Sequence, residues 1–548
     1  MPLLLRRGAA ALRSKHLSAV VPGNPPSRRG ACSQTPTPLP TAPPAWGTPD
    51  LTSLTTGLRN LARNATAGVE ATLNETPIRL AVTGLSRAGK TVFVTSLIRN
   101  LLALGQGRGT LPQLQACLEA QGASRLKQVR ILPPGAAAIA SFDYAGKFAE
   151  LAAQIPSWPA RTEGLAQIAL EIEIERSGAL WRRLGPRRIR LEILDYPGEW
   201  LLDLPLLTKS YGIWSTETVA RLRQPPRDAI FAPFLAFLDA FDPTGPASEA
   251  LIQRGHSLYR QALHASRERF GLRYLQPGRF LCPGPRADAP FMWFFPLGRA
   301  DTAVPRGSAG ALLRDRYEAY KADMRASFFD SHFQSFDRQI VLVDVLGALH
   351  SGREAFDDTA RAIEDIAAGM SYGWNLVRPL SQIGAAAIRV GGQLLPGTQA
   401  ADALSRAISG RRIERVAYVA TKADHVPSLR RDNLRNLLRA LAETAQEKLG
   451  RTPVSYHAAA AVLSTEDGSA VIDGRPIEVV FGVPLGETWA RPFYPGEVPS
   501  ARPRDSFWSK RYFELPVFKP PRINPSGVTG IPHLGLDEVL SAVLKDVL

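Results

Sequence analysis

The amino-acid sequence predicts an α/β protein in which a mostly parallel sheet is interrupted by large, mainly helical insertions. Short apolar segments alternate with helical patterns along the chain, and this order is typical of parallel sheets. About 140 residues separate the predicted strand that ends at Asp195 from the one that begins at Ile340, and helical patterns occur between them at 248–270 and 311–329. We therefore interpret this interval as an inserted helical domain.

The composition favours a folded protein over several other classes. The chain has 548 residues, of which 45% are apolar. This length predicts roughly three or four units of ~150 residues, and the apolar content excludes global disorder. The cysteines Cys32, Cys117 and Cys282 form no CxxC pair, which argues against a zinc ribbon, a disulfide scaffold or a dithiol redox site. No uncharged apolar run reaches the ~18–20 residues of a membrane span, so we expect a soluble cytoplasmic or peripheral membrane protein.

The net charge of +16 raises the hypothesis of a nucleic-acid or anionic-membrane partner. The first 49 residues contain six basic residues and no acidic ones. Residues 1–50 are accordingly predicted to be a disordered basic tail, with an organelle transit peptide as the alternative. No recognition motif accompanies the charge, so we expect no specific nucleic-acid partner.

The individual elements follow from local periodicity. Isoleucine and leucine alternate with glutamate at 167–174, which indicates a half-exposed strand, and we expect it to pair antiparallel with its successor at 188–194. An amphipathic helix is predicted for 51–76 because leucines recur there at helical spacing. The remaining predicted strands are 78–83, 340–345, 416–420 and 454–457, and the remaining helices are 91–104, 428–449 and 536–548.

The segment from Gly84 to Thr91 fits GxxxxGK[ST], the pattern of a phosphate-binding loop, and it lies between a predicted strand and a predicted helix as such a loop requires. Its glycines let backbone N–H groups turn toward an anion, and the N-terminus of the helix adds positive charge. Lys90 is expected to reach the β- and γ-phosphates, and the Thr91 hydroxyl to bind Mg²⁺. The predicted nucleotide-binding residues of this loop are Gly84, Ser86, Arg87, Ala88, Gly89, Lys90 and Thr91.

A second motif, Asp195-Tyr-Pro-Gly198, follows a predicted strand. Phosphate-binding-loop enzymes need a carboxylate at such a position for the Mg²⁺ shell, and the N–H of Gly198 can then sense the γ-phosphate. The segment from Asp344 to Gly347 is a competing DxxG sequence after another apolar strand. We favour Asp195 because its strand has a paired neighbour and because Glu199 follows the glycine. Glu199 is predicted to orient the attacking water, with a solvated loop acid as the alternative.

The third motif is Thr421-Lys422-Ala423-Asp424, which resembles the [NT]KxD pattern of guanine-specific proteins. Asp424 would accept hydrogen bonds from the ring N–H and the exocyclic amine of guanine, a donor pair that adenine lacks. Thr421 and Lys422 would flank the base, and 458–460 would form a loop beside it. The neighbouring His425 is expected to be a surface-loop residue.

A fourth, weaker feature lies before the strand at 167–174. A mobile threonine is needed there to close on Mg²⁺ and the γ-phosphate, and Thr162 has the required position. Arg161 beside it could supply positive charge to the transition state in cis. An ordinary loop is the alternative for both residues.

These residues together resemble the YcjX family of bacterial P-loop proteins. The resemblance is carried by the strings at 79–91, 194–205 and 420–424 and by the Trp-Pro-x-Arg-Thr segment at 158–162, and it extends from about residue 72 to the end. It implies a stress-associated GTPase with a Ras-like core and added helical domains. Members are often encoded beside a small membrane protein, so the resemblance also implies possible peripheral association with the inner membrane.

The leading hypothesis is a P-loop enzyme that hydrolyses GTP to GDP with Mg²⁺. The alternatives are a P-loop ATPase or kinase, for which TKAD would be incidental, and a nucleotide-dependent scaffold at a membrane. The expected domain plan starts with the tail at 1–50. It continues with the first part of the GTPase domain at 51–200, a helical insertion at 201–335, a return strand at 336–348, a second helical insertion at 349–410, the end of the core at 411–470, and an irregular lobe with a C-terminal helix at 471–548.

Overall fold

The computed structural model describes residues 77–85, 87–120, 123–134, 139–160, 164–176, 186–298, 304–370, 413–472, 474–509, 515–526 and 528–547. The predicted basic tail, the helix at 51–76 and most of the second insertion lie outside these residues. So do three predicted site residues, Ser86, Arg161 and Thr162.

The central element is an eight-stranded sheet with the strand order β2-β4-β5-β1-β6-β7-β8, in which β3 lies beside β4. Strands β5, β1, β6, β7 and β8 are mutually parallel, whereas β4 is antiparallel to both β5 and β2. This arrangement confirms the predicted mostly parallel α/β sheet and its antiparallel pair. The strands are β1 (Pro77–Gly84), β2 (Ala123–Ile131), β3 (Ala140–Ser141), β4 (Ala166–Arg176), β5 (Arg187–Asp195), β6 (Arg338–Val343), β7 (Arg415–Ala420) and β8 (Val454–Ala458).

Helices cover both faces of this sheet. The first face carries α1, α2 and the C-terminal helix, and their leucines, isoleucines and valines pack on β1, β4 and β5 in one buried cluster. The helices are α1 (Lys90–Gly105), α2 (Pro112–Ala120), α3 (Tyr144–Ala152), α4 (Tyr211–Leu222), α5 (Arg227–Ile230), α6 (Ala232–Asp239), α7 (Glu249–Arg269), α8 (Ala309–Met324), α9 (Val345–His350), α10 (353–370), α11 (Arg431–Leu441), α12 (Glu443–Leu449), α13 (Asp505–Trp508) and α14 (Leu536–Leu544).

The described residues between β5 and β6 are mainly helical. A 3₁₀ helix, Gly198–Thr208, begins directly after β5, and α4 to α8 follow it. Aromatic side chains fill the core between these helices; Trp214, for example, stacks on Tyr317 with ring centroids 5.1 Å apart. This aromatic core and the second face of the sheet form one buried cluster. The helices between β5 and β6 are therefore packed directly against the sheet.

The 3₁₀ helix is held to this helical region by a buried carboxylate. Asp203 accepts hydrogen bonds from the backbone N–H of Gly278 (2.6 Å) and of Arg279 (3.0 Å), and from the hydroxyl of Tyr320 (2.5 Å). Burial raises the pKa of Asp203 to about 6, although these donors oppose the increase. The segment that follows the Asp195 motif is therefore fixed by residues more than 70 positions away.

The interval 471–530, expected to be irregular, contains much of a second, three-stranded antiparallel sheet. Its strands are β9 (Thr465–Ile472), β10 (Arg475–Gly482) and β11 (Arg491–Phe493). The pattern of β9 is poor in apolar residues, and Gly468 supplies the space for Phe481, because a Cβ there would lie 2.5 Å from the Phe481 ring. Strand β2 was also absent from the prediction, because it is rich in charged residues. In the structure it pairs with β4 with register shifts.

None of the helices in the described ranges is long and apolar enough to cross a membrane.

Candidate functional site

A cavity of about 450 Å³ lies where the carboxyl ends of β1, β5, β7 and β8 meet. Parallel strands place their carboxyl ends at one edge, and α/β proteins bind ligands at this edge. The cavity walls include residues of five segments that the sequence singled out: the phosphate-binding loop, the Asp195 motif with Glu199, the TKAD loop, and the segments at 158–162 and 458–460. These walls comprise Gly84, Leu85, Arg87 to Phe93, Trp158, Pro159, Pro197, Glu199, Cys282, Thr421, Lys422, Asp424, His425, Ala459 to Val462, Ser464 and Leu515 to Phe518.

The first wall is the loop between β1 and α1. Arg87 and Gly89 have positive φ values of 68° and 75°, which turn the chain tightly enough for α1 to begin at Lys90. The Arg87 side chain pairs with Glu268, whose Oε2 accepts a hydrogen bond from Nη2 at 3.0 Å. The loop therefore presents the N-terminal end of α1 to the cavity, an arrangement that favours anions.

Lys90 donates a hydrogen bond to Oδ1 of Asp195, which joins the first motif to the second. Asp195 is 1% exposed, and among the described residues its Oδ2 has no hydrogen-bond partner. A buried carboxylate oxygen without a described donor, on a residue that contacts Lys90 at the start of α1, belongs to the hard oxygen donor set that Mg²⁺ prefers. These residues fit a magnesium site.

The competing Asp344 has different contacts. It caps α9 by accepting a hydrogen bond from the N–H of Gly347 at 2.9 Å, and its Oδ2 accepts one from Nζ of Lys422 at 2.6 Å. Burial disfavours ionisation of Asp344, but the Lys422 ammonium and the two hydrogen bonds more than compensate, so its pKa lies below the ordinary value. The two oxygens of Asp344 are thus engaged in holding α9 and the TKAD loop.

Gly198 and Glu199 lie against the phosphate-binding loop. A Cβ at position 198 would lie 2.2 Å from the carbonyl oxygen of Gly84, so only glycine permits this close approach of two backbones. Glu199 follows at the start of the 3₁₀ helix, is 6% exposed and lines the cavity. The solvated alternative for Glu199 was wrong, because the helical region between β5 and β6 covers this loop.

We expect Gly198→Ala to destabilise the protein, because the added methyl group must displace the Gly84 backbone. Overpacking of this kind costs about 1–3 kcal/mol, and denaturant unfolding would measure the loss. Gly109→Ala is the matched control, since a Cβ at Gly109 would meet nothing within 4 Å. Equal unfolding midpoints for the two variants would contradict the close approach.

The TKAD loop is held to the loop after β8. Oδ2 of Asp424 accepts hydrogen bonds from the backbone N–H (2.9 Å) and the hydroxyl (2.7 Å) of Ser464. The N–H of Ala423 donates to the carbonyl of Ala459 at 3.2 Å. These contacts fix the Asp424 carboxylate in a 2% exposed position beside the cavity. Ser464 was missed from the sequence because it lies 40 residues from Asp424 and belongs to no motif.

His425 is not the surface-loop residue that was expected. Its side chain is 11% exposed, and its ring contacts the edge of the Phe518 ring at a centroid distance of 4.8 Å. Burial lowers its pKa, and the nearby Asp424 opposes this change. Phe518 itself is supported by Trp158, whose indole N–H donates to the Phe518 carbonyl at 2.7 Å. The C-terminal segment at 515–518 therefore closes this side of the cavity, which no local pattern indicated.

Comparison with known proteins agrees with this arrangement. Residues 78–548 match the model of the YcjX-like family, DUF463. The chain belongs to this family. It is 32% identical over 481 residues to the Ras-like GTPase YcjX of Escherichia coli, covering 86% of this chain and 96% of the relative. It is also 32% identical over 491 residues to the Ras-like GTPase YcjX of Shewanella oneidensis, covering 86% of this chain and 94% of the relative.

The YcjX-like match begins at Ile78 inside β1 and includes every segment that lines the cavity. The resemblance found in the sequence is thus confirmed, and the mostly parallel sheet agrees with the Ras-like fold that the names of both relatives state.

Proposed function

We propose that this protein binds guanine nucleotides in the cavity between β1, β5, β7 and β8 and hydrolyses GTP to GDP with Mg²⁺. One observation carries the proposal: the phosphate-binding loop, Glu199 after the Asp195 motif and the TKAD loop line a single cavity. The names of the two relatives support a GTPase. A stress-associated role, a small membrane-protein partner and a location in the cytoplasm or at the inner membrane stay predictions from the family resemblance.

The phosphates would lie against the loop before α1, which is formed by Gly84, Arg87, Ala88 and Gly89, and Lys90 would provide an ammonium. Lys90 is paired with Asp195 in this structure, so nucleotide binding exchanges one anionic partner of Lys90 for another. The backbone of Ser86 is assigned to the same loop by the motif alone.

Thr91 and Asp195 would hold Mg²⁺, because the contacts of Asp344 with Gly347 and Lys422 leave Asp195 as the better candidate. A Mg²⁺ ion held there would offset the negative charge that develops on the phosphates during hydrolysis. Thr162 as a further metal ligand and Arg161 as a source of positive charge stay predictions.

Hydrolysis then needs a positioned water. Its oxygen bonds to the γ-phosphorus while the bond to the bridging oxygen breaks, and that electron pair leaves with GDP; the water proton is released with inorganic phosphate. Glu199 would accept a hydrogen bond from this water, and the N–H of Gly198 would contact the γ-phosphate.

The base would lie beside Asp424, flanked by Thr421 and the stem of Lys422. Asp424 would accept from the two guanine donors with Oδ1, while Ser464 occupies Oδ2. Adenine would leave Oδ1 of this buried carboxylate without the two base donors, at a cost of about 1–3 kcal/mol or more for a charged group.

Fluorescent GDP and ADP titrations test the function, combined with phosphate release from GTP in the presence of Mg²⁺ or EDTA. We expect GDP to bind at least about 100-fold more tightly than ADP, and EDTA to abolish phosphate release. Tighter binding of ADP would replace the proposal with the ATPase or kinase alternative.

Ser464→Ala should weaken GDP binding about 5-fold, because Asp424 loses one of two hydrogen bonds to Oδ2, worth about 1 kcal/mol. The GDP titration measures this effect. Ser526→Ala is the control, since Ser526 is exposed and bonds only within its own turn in the described structure. Equal GDP affinities of the two variants would mean that Ser464 does not position Asp424.

A further inference from the structure

A buried arginine from the helical region lies behind the cavity wall. Arg267, near the end of α7, has a side chain that is 7% exposed, and its Nη1 lies 3.8 Å from Oε1 of Glu199. The same Nη1 lies 3.9 Å from the sulfur of Cys282. Glu199 and Cys282 both line the cavity, so the Arg267 guanidinium lies directly behind these two wall residues.

The next residue of α7 connects the arginine to the phosphate-binding loop. Oε1 of Glu268 accepts a hydrogen bond from Nε of Arg267 at 2.8 Å, and its Oε2 accepts one from Nη2 of Arg87 at 3.0 Å. Charges therefore alternate from Arg87 through Glu268 and Arg267 to Glu199. This chain joins the loop before α1 to the residue after Gly198 through the end of one helix.

The negative charges of Glu199 and of a bound γ-phosphate explain why a cation is needed behind Glu199. Glu199 is a carboxylate removed from water, and a buried charge is costly unless an opposite charge accompanies it. The γ-phosphate of a bound nucleotide would add negative charge to the same cavity and repel Glu199. A guanidinium behind Glu199 offsets both effects, and at 3.8 Å the contact is an ion pair without the constraint of a short hydrogen bond.

We propose that Arg267 is a positioning residue for GTP hydrolysis: its guanidinium holds the Glu199 carboxylate oriented toward the attacking water. The inference rests on the proposed GTPase function and deepens it. The helical region between β5 and β6 thereby contributes to the chemistry in cis. Glu268 accepts hydrogen bonds from both Arg267 and Arg87, so it connects the Arg267 guanidinium to the phosphate-binding loop.

Single-turnover hydrolysis of GTP by the full chain tests this inference. We expect R267A to lower the rate constant about 10- to 100-fold, while its affinity for GDP stays within about twofold of the wild-type value. The matched control is R269A, because Arg269 is exposed at the end of the same helix. Guanidinium ion added at millimolar concentration should restore part of the rate of R267A and leave R269A unchanged.

A double substitution separates positioning from a structural role. Because Arg267 acts through Glu199, E199Q/R267A should hydrolyse GTP at about the rate of E199Q alone. Independent, multiplicative losses would overturn the inference, and so would a wild-type rate for R267A. If R267A does not fold, R267Q and E199Q/R267Q replace it, and a wild-type rate for R267Q again overturns the inference. Absence of GTP hydrolysis by the wild-type protein would instead refute the proposed function itself.

Discussion

Lys90→Ala is expected to reduce the affinity of this protein for GDP and GTP by at least about 100-fold. The substitution removes the ammonium that would contact the β- and γ-phosphates, and charge-assisted hydrogen bonds of this type are worth about 1.5–3 kcal/mol each. It also leaves the carboxylate of Asp195, which is 1% exposed, without its present cationic partner, so that the site repels phosphate. Titration with fluorescent GDP measures the loss.

The control for this prediction is Lys127→Ala. Lys127 lies on β2 at the edge of the sheet, where it is paired with Glu173, and the Lys127 side chain is 52% exposed. Its loss should leave nucleotide affinity unchanged. The double variant Lys90→Ala/Asp195→Asn should recover thermal stability relative to Lys90→Ala, because it removes the unpaired buried charge. Unchanged GDP affinity of a folded Lys90→Ala variant would exclude Lys90 from the phosphate site.

Asp424→Asn is expected to shift the base preference from guanine to xanthine. The amide oxygen of asparagine can keep the hydrogen bonds that Ser464 donates. Its NH₂ group then faces the two guanine donors but matches the carbonyl that xanthine has in place of the exocyclic amine. We expect GDP affinity to fall about 100-fold or more and xanthosine diphosphate to bind better than GDP.

Competition titrations with both diphosphates measure this shift, and Asp432→Asn is the control. Asp432 lies at the start of α11 in the same region, and its side chain is 78% exposed. A variant Asp424→Asn that keeps the wild-type preference for GDP would remove Asp424 from the base site. The nucleotide would then have to be recognised by other groups of the cavity.

Local patterns were sufficient for much of the fold and for part of the candidate site. A parallel strand is a continuous apolar run and a phosphate-binding loop is a continuous string, so β1, α1 and the residues from Gly84 to Thr91 could be identified from neighbours in sequence. Strands β2 and β9 could not, because their charged and polar side chains hide the alternation that marks a strand.

The choice between Asp195 and Asp344 as the candidate metal ligand could not be made from local sequence patterns alone. Both residues follow an apolar strand and lie three positions before a glycine, and the sequence favoured Asp195 only through its paired strand and the following Glu199. Their lysine partners are distant in the chain: Lys90 lies 105 positions from Asp195, and Lys422 lies 78 positions from Asp344. No pattern around either aspartate contains this information.

The sequence by itself determined the class of fold, the phosphate-binding loop and the guanine-type motif, because each depends on the order of residues within one short segment. Only the tertiary structure brought Ser464 to Asp424, Phe518 to His425 and Arg267 to Glu199. These contacts join segments separated by 40 to 93 positions, and they form because the strand order of the sheet and the packing of the helical region bring distant loops to one edge. The net charge of +16 indicated an anionic partner, and the folded cavity limits the proposed anion to a nucleotide phosphate.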